Sequence, residues 1–91
     1  MKAKVQENYI ASDERYTMDL FSYQCFNCGS KDCLEIDHIY PLSKGNPLTR
    51  KNACVLCKHC NSSKQYKMPE EYFSKEKFNE LMFILFPPYA S

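Results

Sequence analysis

Asp37 and His38 stand side by side in a short apolar segment, and Asn61 directly follows the second cysteine of a C-x2-C pair. A carboxylate suits a hard divalent cation, and an amide oxygen adds a neutral ligand. An imidazole with a pKa of about 6.5 accepts a proton from water near neutral pH. Together the three could cleave a phosphodiester: a metal held by Asp37 and Asn61 would bridge phosphate oxygens and stabilise the leaving 3′ oxygen, while His38 activates a water for in-line attack. Taken singly, the pair reads more readily as a buried histidine with a satisfied hydrogen bond and Asp37 as its partner.

The six cysteines, at positions 25, 28, 33, 54, 57 and 60, give these residues a frame. Cys25/Cys28 and Cys57/Cys60 form two C-x2-C pairs, the number and type of thiolates that close a tetrahedral structural zinc site. The 28 residues between Cys28 and Cys57 suffice for a strand, a loop and a returning strand. A chain of 91 residues buries only about 60% of its unfolded surface, so zinc binding, on the order of 10 kcal/mol, would supply folding free energy that a small core lacks. Cys33 and Cys54 lie outside the paired spacing and are expected to be small buried side chains. His59, between the ligands of the second pair, is expected at the surface or facing a phosphate. A disulfide framework is the alternative that spacing leaves open.

The chain begins MKAKVQENYIASDERY, without the apolar run that follows the charged start of a secretory signal, and a reducing, cytosolic protein is expected. The longest apolar run, Leu81 to Phe86, is far short of the roughly 20 residues that span a bilayer, so no membrane association is expected. The net charge is only +1, but it is unevenly distributed. Residues 1–24 carry a net −1 and residues 68–91 a net −2, whereas residues 25–67 hold seven basic side chains (Lys31, Lys44, Arg50, Lys51, Lys58, Lys64 and Lys67) against three acidic ones. Every cysteine and both histidines lie in that basic block, which fits a site facing a polyanion. Ordinary solvated lysines would give the same count.

The elements that must position these residues read as a small α+β domain spanning residues 1–91. Residues 1–11 form an arm without period. Ser12 can then cap a helix with an acidic first turn, placing Tyr16, Leu20 and Tyr23 on one face and completing the segment 1–24. In the 25–67 core, Leu34–Ile39 reads as a strand, residues 41–51 as a loop, Ala53–Leu56 as a second strand, and the segment from Cys57 as the start of a helix. Met68-Pro69 breaks that helix. In the 68–91 segment Ser74 caps a last helix, with Phe73 and Phe78 as a staple and Phe78, Leu81, Met82 and Leu85 as its apolar stripe. Phe83, Ile84 and Phe86 make that helix apolar on further sides, which raises homodimerisation as a hypothesis.

With these residues set out, the string C-x2-C, then D-H-I-x-P-L-S-x-G, a central Asn, and C-x2-C-N-x2-K resembles the HNH endonucleases over about residues 25 to 64. The resemblance implies a ββα-metal (His-Me finger) core stapled by a structural zinc and flanked by N- and C-terminal helices. It implies Asp37 as metal ligand, His38 as general base, Asn52 as the residue holding the His38 loop or ring, and Asn61 as second metal ligand. Lys64, one turn after Asn61, becomes a candidate phosphate contact. The implied activity is a metal-dependent DNA endonuclease or nickase that leaves 5′-phosphate and 3′-hydroxyl ends, with structural Zn²⁺ and catalytic Mg²⁺ or Mn²⁺. The third motif letter is Asn61 rather than His, which leaves the metal preference open. Gly45-Asn46 stands where many members have two glycines, so Asn46 competes with Asn52 for the central role; Asn52, just before the second strand, is preferred.

Two rival functions share parts of this pattern. A catalytically silent zinc-stapled adaptor for DNA or protein would keep the frame and lose the chemistry. A zinc deaminase needs an H-x-E element and an open zinc position, whereas His38 is followed by Ile39-Tyr40 and four paired thiolates close the zinc site.

Overall fold

The structure, a computed structural model, describes residues 7–88. Helix α1 (Ala11–Leu20) leads to strand β1 (Leu34–His38), strand β2 (Ala53–Cys57), and helices α2 (Lys58–Lys64), α3 (Pro69–Tyr72) and α4 (Lys75–Leu85). The strands form a two-stranded antiparallel sheet in which Leu34 faces Cys57, Ile36 faces Val55 and His38 faces Ala53. The result is a small α+β fold. None of the helices among the described residues is long and apolar enough to cross a membrane.

A two-stranded sheet is marginal alone and needs packing on its faces. Here every residue of β2 is buried, and its Val55 and Leu56 join Phe21, Phe26, Ile39, Phe73, Leu81 and Leu85 in one core. Three of those rings meet edge to face, Phe21 with Phe26 at 5.7 Å and Phe26 with Phe73 at 5.5 Å between centroids, the arrangement that ring quadrupoles favour. Helix α4 follows the expected pattern. Ser74 caps it, its Oγ accepting from the Lys77 N–H at 3.1 Å, and Leu81 and Leu85 fill the core. Phe83 and Phe86 are exposed. Helix α2 ends earlier than the expected break at Met68-Pro69, at Lys64, where Gln65 takes a positive φ; Pro69 instead opens the short α3 as a residue of its first turn, where its missing N–H is harmless.

Helix α1 differs from the sequence reading. Its N-cap is Ile10 and not Ser12; Asp13 reaches back to accept from the Ile10 N–H at 2.9 Å. Of the expected face of Tyr16, Leu20 and Tyr23, only Leu20 packs against the core. Tyr16 and Tyr23 are exposed, and the buried positions are Thr17 and Phe21. The helix ends at Leu20, and Ser22 and Tyr23 both take positive φ, which swings Tyr23 out of register. Thr17 is tolerated in the interior because its hydroxyl meets that of Tyr9. Residues 1–6 of the expected arm lie outside the described residues, while Glu7 is fixed by two hydrogen bonds.

Candidate active site

The four paired cysteines converge. The Sγ atoms of Cys25, Cys28, Cys57 and Cys60 all lie within 4.8 Å of one another, and Cys28 and Cys57 are 3.7 Å apart. Sulfurs at about 2.3 Å from a tetrahedral zinc would be separated by about 3.8 Å, so the cluster has the size of a zinc site. Each knuckle presents backbone to sulfur: Cys28 N–H points at Cys25 Sγ and Cys60 N–H at Cys57 Sγ, both at 3.4 Å. Gly29, at φ +82°, supplies the left-handed turn of the first knuckle. Burial raises the Cys25 thiol, but backbone N–H groups of Cys28, Cys57 and Asn27 outweigh it and bring it down to about 7. Burial and the neighbouring thiols push Cys60 up to about 12 against one opposing bond from Asn27. Such a set resists full ionisation until a cation compensates it.

The remaining cysteines divide. Cys54 is fully buried in β2, as expected. Cys33 is not; it is exposed at a positive-φ position before β1, because the chain turns there to enter the strand. His59 is exposed on α2.

Strand β1 carries Asp37 and His38 to its last two positions. Adjacent residues on a regular strand point to opposite faces, which would separate the pair. Both nevertheless line one open cleft, with Pro41, Leu42, Ser43, Gln65 and Tyr66. The strand stops at His38, so the cleft wraps its end. Beyond it, Ile39 N–H bonds to the Asn52 carbonyl at 3.0 Å.

Asn52 holds the segment after His38. Its Oδ1 accepts from Tyr40 N–H at 2.8 Å, and its Nδ2 donates to the carbonyls of Tyr40 and Pro47, both at 3.1 Å. Asn46 makes one comparable bond, to the Pro41 carbonyl at 3.2 Å. Among the described residues neither side chain bonds to the His38 ring.

Helix α2 lies against the Glu35–Asp37 face of β1, and two residues a turn apart on it make the contacts. Asn61 Nδ2 donates to Glu35 Oε1 at 2.7 Å. Lys64 Nζ donates to the His38 carbonyl at 2.9 Å and lies 3.1 Å from Asp37 Oδ2. The second contact is an ion pair without hydrogen-bond alignment, since Asp37 Oδ2 is a buried oxygen lacking a directed donor. Burial raises the Asp37 carboxyl, and the Lys64 charge opposes that rise. Lys64 itself has 0% exposure. The expected phosphate contact is thus corrected: the ammonium is turned inward, onto the end of β1. A buried lysine requires such partners.

The orphaned Asp37 oxygen and the Asn61 amide oxygen, left free when Nδ2 bonds Glu35, are hard donors of the kind Mg²⁺ or Mn²⁺ takes. The inward turn of Lys64 also reduces the basic surface. Lys31, Lys44, Arg50, Lys51, Lys58 and Lys67 remain exposed within the basic block, with the Arg50 charge paired to Asp13 at 2.7 Å.

Two carboxylates at the site were not singled out from sequence. Glu35 shares a strand face with Asp37 by the period of two, a signal that was there to be read. Glu7 Oε2 lies 2.6 Å from His38 Nε2 across 31 positions of chain, and no local pattern signals that contact.

Residues 25–67 match the protein-family model described as HNH endonuclease. No curated protein matches the chain.

Proposed function

Proceeding from that HNH endonuclease match, we propose that the domain is a metal-dependent DNA endonuclease or nickase that hydrolyses phosphodiester bonds to 5′-phosphate and 3′-hydroxyl ends. The observation that carries the reading is the sharing of one open cleft by Asp37 and His38, beside the helix that bears Asn61. Cys25, Cys28, Cys57 and Cys60 would hold a structural Zn²⁺, and Asp37 with Asn61 would hold an exchangeable Mg²⁺ or Mn²⁺. Bound there, that cation would neutralise charge on the phosphate and the leaving oxygen. The protein's own residues do the rest. His38 takes the proton of the attacking water. Asn52 keeps the segment after His38 at fixed distance from β2. Lys64 restrains the Asp37 carboxylate and the His38 backbone together, in place of the phosphate contact its spacing suggested.

A plasmid-nicking assay on zinc-loaded protein tests this. With Mg²⁺ or Mn²⁺ the wild type should nick, and His38→Ala should lose at least a hundredfold in rate, the order of a general-base contribution, while still binding DNA. DNA binding without metal-dependent cutting in the wild type would replace the enzyme by the zinc-stapled adaptor.

A further inference from the structure

The general-base reading of His38 leaves open what orients its ring, since Asn52 bonds only backbone. We infer that Glu7, from the segment preceding α1, is a positioning residue that sets the tautomer and orientation of His38; this rests on His38 acting as base.

One oxygen, Glu7 Oε2, makes both contacts: 2.6 Å to His38 Nε2 and 2.6 Å from the Leu48 N–H. Leu48 directly follows Pro47, whose carbonyl Asn52 holds. The carboxylate therefore ties the ring to the loop that Asn52 anchors. The acceptor at Nε2 requires the proton there and leaves the lone pair on Nδ1, which has no hydrogen-bond partner among the described residues. The Glu7 carboxyl is held below the ordinary range by His38 and by the Leu48 N–H, so it stays ionised and acceptor-only at neutral pH.

A carboxylate touching a catalytic histidine could instead block the site. The geometry favours positioning. The cleft shared by Asp37 and His38 is lined by Pro41, Leu42, Ser43, Gln65 and Tyr66, whereas Glu7 reaches the ring from the side of Leu48. Its hydrogen bonds among the described residues go to His38 and Leu48 and not to Asp37 or Asn61. An orienting carboxylate of this kind fixes the ring and stabilises the imidazolium formed as water is deprotonated.

The test combines kinetics with ring spectroscopy on the full chain. In single-turnover and steady-state nicking with Mg²⁺, Glu7→Ala should lower kcat by about ten- to a hundredfold, within the span of a general-base contribution, with KM for DNA within about twofold. Glu7→Gln should recover most of the loss, because the Leu48 N–H demands an oxygen at the Oε2 position and that same oxygen can still accept from Nε2–H. An unchanged or increased kcat in Glu7→Ala would overturn the inference, an increase marking the contact as a lock. Long-range proton–nitrogen NMR at a pH where the ring is neutral reads the tautomer directly. The wild type should carry the proton on Nε2, and Glu7→Ala should shift the ring toward a tautomer mixture. An identical tautomer in both proteins would also overturn it. If wild type and His38→Ala alike fail to nick, the proposed function falls, and the NMR comparison still decides the role of Glu7.

Discussion

Replacing Lys64 by Met removes an ammonium and keeps most of its apolar stem, so it isolates the charge. The side chain is fully buried, and its Asp37 partner is only 12% exposed. Removing one member of a buried pair leaves the other charge uncompensated, at a typical cost of about 3–5 kcal/mol, and here the His38 carbonyl loses its donor as well. Against a total stability of about 5–15 kcal/mol, that predicts a fall in Tm of roughly 15 °C or more for zinc-saturated protein. The sign with pH follows from Asp37. Its carboxyl is raised in the fold by burial, so its contribution to stability is fully present below the unfolded value and is lost as pH rises through the folded one. Without the opposing ammonium that loss should deepen, and Lys64→Met should lose more stability than wild type as pH rises. Adding Asp37→Asn should return about 1–3 kcal/mol by removing the stranded charge. Denaturant unfolding of the four proteins at fixed free zinc closes the cycle. A cost below about 1 kcal/mol for Lys64→Met, or purely additive single substitutions, would refute the buried pair.

Chelating the zinc, or Cys57→Ser, should unfold the domain and abolish its tertiary circular-dichroism signal, with refolding on added Zn²⁺ in the chelated wild type. Alkylation of zinc-loaded protein followed by mass spectrometry should label Cys33 first and leave Cys54 unmodified, since Cys33 is exposed whereas burial holds the Cys54 thiol far above its ordinary range. Asn52→Ala, which removes three hydrogen bonds, should destabilise by about 2–3 kcal/mol, at about 1 kcal/mol per bond. It should also accelerate hydrogen exchange at Tyr40. Ser74→Ala should cost about 1 kcal/mol through loss of the α4 cap, read by thermal unfolding.

What was legible in the sequence was whatever local spacing determines. Two C-x2-C pairs force four sulfurs together, alternation marks β1, a short apolar run before the second pair marks β2, and Ser74 caps α4. The errors came where tertiary partners decide. Lys64 sits three residues after Asn61, which correctly put both on one face of α2. The helix, however, packs that face onto β1, and only the packing tells that the ammonium points inward. The spacing in α1 points to a face of Tyr16, Leu20 and Tyr23, whereas its interior takes Thr17 because Tyr9 satisfies the hydroxyl. Glu7 lay in an arm without period, and its value to His38 depends on a fold-back that no nearby residue encodes.

The central claim is that Asp37, His38 and Asn61 form a metal-dependent phosphodiester-hydrolysing site on a zinc-stapled frame. The most direct measurement is cleavage of plasmid DNA by zinc-loaded protein with added Mg²⁺ or Mn²⁺, comparing wild type with His38→Ala and treating the products with DNA ligase. The nicks should be ones that ligase reseals, as 5′-phosphate and 3′-hydroxyl ends allow, and the rate should be at least a hundredfold lower in a folded His38→Ala. Equal cutting by both proteins, or DNA binding with no metal-dependent cutting by either, would contradict that claim.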